Sequence, residues 1–248
     1  MQNKPYSDRF KTQEVVAKYE NTEYAPNSYS SYIWSLQREV LSELIRAQHE
    51  KHGPLKLLDF ACGTGRILSF VESQVAEAVG IDISEDMAQV ARTKCQTSQI
   101  YVGDILEDAN LAADEFNVIT CFRFFLNTEH SIRTRVLREL HKRLNKENGI
   151  LVTNIHGNSR SVRSGALLYR SLIHSERHAQ MSPRQIKQMF DECGFEIVDL
   201  NGFGILPPNL YRTSFKASAA WLDRTCADIR LFAPISVDLL YVCKPKDV

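Results

Sequence analysis

The sequence predicts an α/β fold, a parallel sheet covered by helices on both faces, on two observations. Seven short apolar runs rich in β-branched or aromatic residues recur along the chain, and segments of helical apolar period separate the early ones. Near-continuous apolar strands alternating with helices belong to sheets buried on both sides. The 248 residues allow one large domain, and 44% apolar with 24% charged residues is ordinary for a globular chain.

In order, the strand candidates are "LKLLDF", "EAVGID", "QIYVGD", "FNVITCF", "GILVTNI", "FEIVDL" and "VDLLYVC". Helices are expected from Gly65 to Ser73, from Ser84 to Thr93 and from Glu129 to Leu144. Ser84 is a natural N-cap, with Glu85 and Asp86 in the first turn to suit the helix dipole. Ser182 followed by Pro183 opens another helix, which Gly194 can stop in the left-handed conformation. Three regions fall outside the repeating unit. Residues 1–50 contain "RFKTQEVVAKY" and "SYIWSLQREVLSELIRAQ" at helical spacing, and are read as an N-terminal helical lid. Residues 51–248 are read as the main domain, with insertions at about 157–181 and 202–235, after strands five and six. Ligands of open α/β sheets bind beyond the carboxyl ends of strands, so such insertions make walls and lids.

Charge and cysteine usage narrow the function. Lysine plus arginine balances aspartate plus glutamate at 30 each, which lacks the basic bias of a nucleic-acid binder. The six cysteines are scattered without a CxxC pair, so reduced, mostly buried thiols are expected and no metal site. The chain opens without an apolar leader, and no run reaches the roughly 18 apolar residues of a membrane span. A cytoplasmic location is the expectation.

The stretch "LLDFACGTGRIL", Leu57 to Leu68, joins a strand to a helix through a Gly63-Thr64-Gly65 turn. A dinucleotide fingerprint would place a third glycine where Leu68 stands. S-adenosylmethionine brings no phosphate but a zwitterion and a sulfonium, which favour backbone carbonyls and a strand-end carboxylate such as Asp59. Asp82, at the end of the second strand, suits ribose hydroxyls, and Asp104 with Ile105, after the third, suits the adenine edge. In "LLDFACGTGRI", "VGIDISEDMAQVAR" and "YVGDI" the chain resembles the class I S-adenosylmethionine-dependent methyltransferases over about Leu55 to Lys244. That resemblance implies a Rossmann-like sheet of seven strands with the last antiparallel and inserted before the sixth. It further implies that Gly63 and Gly65 face the methionine part, Asp82 the ribose, Ile83 and Met87 the adenine face, and Asp104 with Ile105 the adenine edge. Ala61 and Phe122 complete the expected cofactor contacts. "VAKYE" is similar to the lid segment of small-molecule members, which makes Tyr19 a lid candidate and Arg38 a candidate for the cofactor carboxylate.

Methyl transfer is an in-line displacement that needs alignment and exclusion of water. "CFRFFLN" follows the fourth strand and offers an aromatic wall, while Arg123 within it needs a carboxylate or an anionic ligand group. His156, ending strand five, is the first choice of base for a hydroxyl acceptor because its ordinary pKa lies near working pH, and for an amine acceptor it could simply orient the substrate. Asn154 and Asn158 flank it, and His130 is a weaker rival. Arg160, Arg163, Arg170, Arg177 and Arg184 face one acid, Glu176, across this region, which suggests an anionic acceptor. The activity expected is methyl transfer from S-adenosylmethionine, leaving S-adenosylhomocysteine, to oxygen ahead of nitrogen of a small or glycan-like acceptor. The rivals are a non-catalytic cofactor-binding module and a methyltransferase acting on RNA or protein.

Overall fold

The computed structural model describes residues 16, 19–26, 28–108, 111, 114–161, 163–164, 180–206, 218, 221–223, 225 and 230–246. Its seven strands are β1 (Lys56–Phe60), β2 (Glu77–Asp82), β3 (Gln99–Val102), β4 (Val118–Cys121), β5 (Ile150–Ile155), β6 (Phe195–Phe203) and β7 (Asp238–Pro245). They form one sheet in the order β3-β2-β1-β4-β5-β7-β6. β1 to β5 pair in parallel, whereas β7 is antiparallel to both β5 and β6. All seven predicted strands are present, and the antiparallel last strand lies between the fifth and sixth as the resemblance implies.

Strand alternation divides the core. Leu58, Ile81, Ile119 and Leu151 point to one face, where they meet Val136, Leu137 and Leu140 of α4 (His130–Arg143) and Ile186 and Phe190 of α5 (Pro183–Glu192). Leu57, Val118, Val152 and Leu240 point to the other, packed by Ile33, Leu36, Leu41 and Ile45 of α1 (Tyr29–His52) and by Leu68 and Val71 of α2 (Leu68–Val71). Period-two strands between amphipathic helices thus bury both faces, each fully covered aliphatic side chain contributing roughly 1.5–3 kcal/mol.

Local signals stop and start the helices as expected. Ser84 caps α3 (Glu85–Lys94) by accepting from Met87 N. Ser182 and Gln185 form a capping box on α5, and Gly194 follows it at φ 83°. The helix expected from Gly65 to Ser73 is shorter: α2 holds four residues and gives way to a 3₁₀ turn at Glu72–Gln74. Glu72 there accepts backbone N–H groups of Gln96, Thr97 and Ser98, which ties the turn to the β3 approach. Of the N-terminal region, α1 is as predicted and residues 19–23 form a π-helical turn. Cys62, Cys121, Cys193 and Cys243 are buried free thiols and Cys95 is half-buried, while Cys226 lies outside the described residues. No described helix is long and apolar enough to cross a membrane, and no described cluster of His, Cys, Asp or Glu could hold a metal.

Candidate functional site

The carboxyl ends of β1, β2 and β3 converge because parallel pairing puts Phe60, Asp82 and Val102 at one edge of the sheet. Ala61, Asp82, Ile83, Asp104, Ile105 and Phe124 line a single cavity there. Asp82 organises it. Its Oδ2 accepts from Gly63 N at 2.7 Å and its Oδ1 from Ser84 N at 2.9 Å, so one carboxylate spans the glycine loop and the start of α3. Burial pushes its pKa up from the ordinary aspartate value, and the N–H donors of Ser84 and Gly63 oppose that. Asp104 accepts from Leu106 N at 2.8 Å, which turns the chain beneath the cavity and buries Ile105.

The two loop glycines differ in reason. Gly63 and Gly65 both have positive φ, at 55° and 73°. A Cβ on Gly63 would meet nothing within 4 Å, whereas one on Gly65 would lie 2.9 Å from the Ala91 Cβ. Gly65 therefore admits α3, and Gly63 leaves the loop surface open. Ala61 takes φ 56° without being glycine, a strained state beside the cavity.

Other predicted contacts lie elsewhere. Asp59 is 1% exposed beneath the loop, accepts from Thr120 Oγ1 at 2.6 Å, and burial lifts its pKa to about 7. It faces the α1 side of the sheet and does not line this cavity. Met87 is buried on the inner face of α3 and does not line the cavity. Phe122 packs edge-on against Trp34 of α1 at 6.2 Å, also outside it. Arg38 is exposed on α1 with its guanidinium 6.0 Å from the Phe70 ring. Arg66, which follows the glycine loop, is placed differently. The Arg66 guanidinium sits between Tyr24 and Trp34, 4.1 and 4.5 Å from their ring centroids, and its Nε and Nη1 are buried without hydrogen-bond partners. Sequence reading passed over Arg66 because an arginine at a helix start reads as a solvated charge.

The segment at residues 19–26 lies across this loop. Glu20 accepts from Thr64 Oγ1 and pairs with Lys94 at 2.5 Å. Glu23 lies 3.6 Å from Arg123, whose Nη1 also donates to Tyr24 and Ser30. Arg123 thus has a protein carboxylate as partner; its own N–H donates to Asn154 Oδ1 at 2.6 Å, and its φ is 56°. Tyr19 begins the segment, but its side chain lies outside the described residues.

At the end of β5, burial first and then the Arg123 and Arg163 charges push the His156 pKa down to about 3. That removes the reason for expecting a base there: the imidazole stays neutral at working pH and is a weak proton acceptor. Asn158 is structural, its amide donating to the carbonyls of Pro234 and Ser236. His130 opens α4 in exposed position. Phe125 is core, between Phe124 and Phe190. Of the arginine group, Arg160 and Arg184 are exposed and Arg163 is half-buried, whereas Arg170, Arg177 and Glu176 lie outside the described residues.

These residues fit the cofactor the resemblance implies. The open face at Gly63, the unpartnered donors of Arg66 and the acidic-apolar lining at the ends of β2 and β3 match a zwitterion, a ribose and a purine.

Comparison with known proteins gives the same direction. Residues 32–200 match the family model described as "Methyltransferase domain". A dTDP-4-amino-2,3,4,6-tetradeoxy-D-glucose N,N-dimethyltransferase of Saccharopolyspora spinosa is 31% identical over 114 residues, 45% of this chain and 44% of that one. A ubiquinone biosynthesis O-methyltransferase of Methylococcus capsulatus is 36% identical over 70 residues, 27% of this chain and 30% of that one. The chain spans less than half the length of the curated relatives it matches. Among solved structures, the plantazolicin methyltransferase BpumL in complex with SAH superposes with TM-score 0.65 at 18% identity, over 98% of this chain and 94% of that one. Magnesium protoporphyrin IX methyltransferase from Synechocystis PCC 6803 with bound SAM gives 0.62 at 12% identity over 100% of both.

Proposed function

The chain belongs to the methyltransferase domain family, and from that premise we propose that it transfers a methyl group from S-adenosylmethionine to oxygen or nitrogen of a small or glycan-like acceptor. The observation that carries this reading is the convergence of Asp82, Ile83, Asp104 and Ile105 on one cavity beside the glycine loop. Asp82 would receive the ribose hydroxyls while still holding Gly63 N. Ile83 and Ile105 would flank the adenine, Asp104 would take its amino proton, and Arg66 would bind the amino-acid carboxylate with its unused donors. When bound, the cofactor supplies an electrophilic methyl carbon on a sulfonium. The chain's own part is to align the acceptor and exclude water, and the segment at residues 19–26 provides a cover for that purpose.

Support for either atom comes from the names of two relatives, an amino-sugar N,N-dimethyltransferase and a ubiquinone biosynthesis O-methyltransferase. Among the described residues, Arg163 supports an anionic acceptor, whereas Arg123 is paired with Glu23. The test is incubation with methyl-labelled S-adenosylmethionine and extracts fractionated into polar metabolites, lipids and glycans, RNA, and protein, with Asp82→Ala as control. Label in the first two fractions that the control lacks is the expected result. Label confined to RNA or protein would move the acceptor class and keep the cofactor.

A further inference from the structure

At the junction of β5 and β7 the fold gathers ionisable side chains whose hydrogen-bonding capacity is unused. The antiparallel pair Ile155↔Leu239 sets His156 and Asp238 at the next step of the register. Asn158 clamps the junction, its N–H donating to the Val237 carbonyl at 3.3 Å and its amide to Pro234 and Ser236 at 2.7 and 2.9 Å. Asp238 is 6% exposed, yet no described residue donates a hydrogen bond to its carboxylate. His156 Nδ1 is likewise buried without a partner. The described charges facing Asp238 are Arg123, Arg163 and Asp223, and the same two arginines face His156.

Asp223 is differently placed. Its carboxylate accepts from Gly204 N and Ile205 N, both at 2.9 Å, and from Tyr32 at 3.4 Å, so its capacity is spent on structure. Asp238 is left as the buried acid of this cluster with room for a donor. A buried polar group costs stability unless something bonds to it, so an unpartnered carboxylate beside an unpartnered imidazole points to a ligand that supplies the missing donors.

We propose, resting on the methyl-transfer reading above, that Asp238 is the catalytic base for a protic acceptor, an alcohol, phenol or amine, which His156 orients by a hydrogen bond. The acceptor's lone pair forms the bond to the methyl carbon as the carbon–sulfur electrons pass to sulfur. The proton of the acceptor goes to an Asp238 oxygen, and exchange with water later restores the carboxylate. Burial, against the Arg123 and Arg163 charges and with the Asp223 charge, raises the Asp238 pKa to about 6. A carboxylate so poised is ionised at neutral pH and a far better proton acceptor than an ordinary aspartate.

The experiment compares the wild type, Asp238→Asn and His156→Gln. Calorimetry with S-adenosylmethionine is expected to give dissociation constants within twofold of each other, because none of these changes touches the glycine loop. Label transfer into polar and lipid extracts between pH 5 and 8 should fall by half near pH 6 in the wild type. Asp238→Asn should lose transfer by at least about 100-fold at pH 7.5 and lose that acid limb. His156→Gln should keep the limb and need more acceptor. Transfer by Asp238→Asn within threefold of wild type, or with the same limb, overturns the assignment of Asp238. A wild type that binds no cofactor overturns the methyl-transfer reading instead. Where no extract takes label, carbon-13 NMR of the aspartate carboxyls decides. The signal missing from Asp238→Asn must titrate near pH 6, and a midpoint at or below about 4.5, close to an ordinary aspartate, overturns the proposal.

Discussion

The two halves of the sheet's carboxyl edge differ in how their carboxylates are bonded. At the ends of β1 to β3 the polar groups bond to their own neighbourhood: Asp82 to Gly63 and Ser84, Asp104 to Leu106, Ser84 to Met87. At the ends of β5 and β7, Asp238 and His156 are drawn together from far apart in the chain and left with bonds unmade. The carboxylates of the first half are pre-formed in their bonds, although Arg66 Nε and Nη1 there are buried without partners, whereas in the second half His156 Nδ1 is buried without one. On the proposed reading, the first half would hold the cofactor and the second the acceptor.

Asp82→Ala tests the pre-formed half most severely. It strands two N–H groups and, on the proposed reading, would remove the ribose contact as well, so calorimetry should show cofactor affinity falling on the order of 1,000-fold. An effect under tenfold would mean the loop does not depend on this carboxylate. Gly65→Ala should come next. The added methyl meets α3 at 2.9 Å with φ at 73°, and urea denaturation should record a loss of about 3 kcal/mol. Gly63→Ala faces open space and should cost only about 1 kcal/mol. Equal losses would erase the distinction between the two glycines.

The unsatisfied half makes a prediction of opposite sign. Asp238 has its folded pKa raised above the unfolded value, so its contribution to stability is fully present below the unfolded pKa and lost as pH rises through about 6. Asp238→Asn should therefore stabilise the fold by about 2 kcal/mol at pH 7.5 relative to pH 4, read as a shift in urea midpoint. No pH dependence in that difference would mean the carboxylate already has a partner. His156 runs the other way. Its folded pKa is depressed to about 3, so stability present above its unfolded pKa is lost as pH falls from about 6.5 toward 3, and His156→Gln should flatten that acid limb. The smallest expected effect is at Ala61, where glycine would relieve φ 56° and stabilise by about 1 kcal/mol, visible as a small rise in thermal midpoint.

The seven strands, the caps at Ser84 and Ser182 and the stop at Gly194 were legible because each depends on residues within a few positions. The cavity contacts of Asp82, Ile83, Asp104 and Ile105 were legible for a related reason: a parallel sheet delivers every strand end to one edge, so three local motifs become one site. Side-chain direction was harder. Asp59 follows the strand alternation to the α1 face, and Arg38 falls on the outer face of a long helix, neither of which motif position reveals.

What the sequence by itself determined is the α/β fold and the strand ends that meet at one edge of the sheet, since hydrophobic period and glycine punctuation act over short range and the sheet repeats them. Only the tertiary structure decided what meets around the glycine loop and at the ends of β5 and β7. Antiparallel β7 brings Asp238 next to His156, the segment at residues 19–26 brings Glu23 to Arg123, and Tyr24 and Trp34 close on Arg66. Burial and neighbouring charge then set the proton affinities of Asp238 and His156, and both are properties of the assembled environment that no residue carries in its own chemistry.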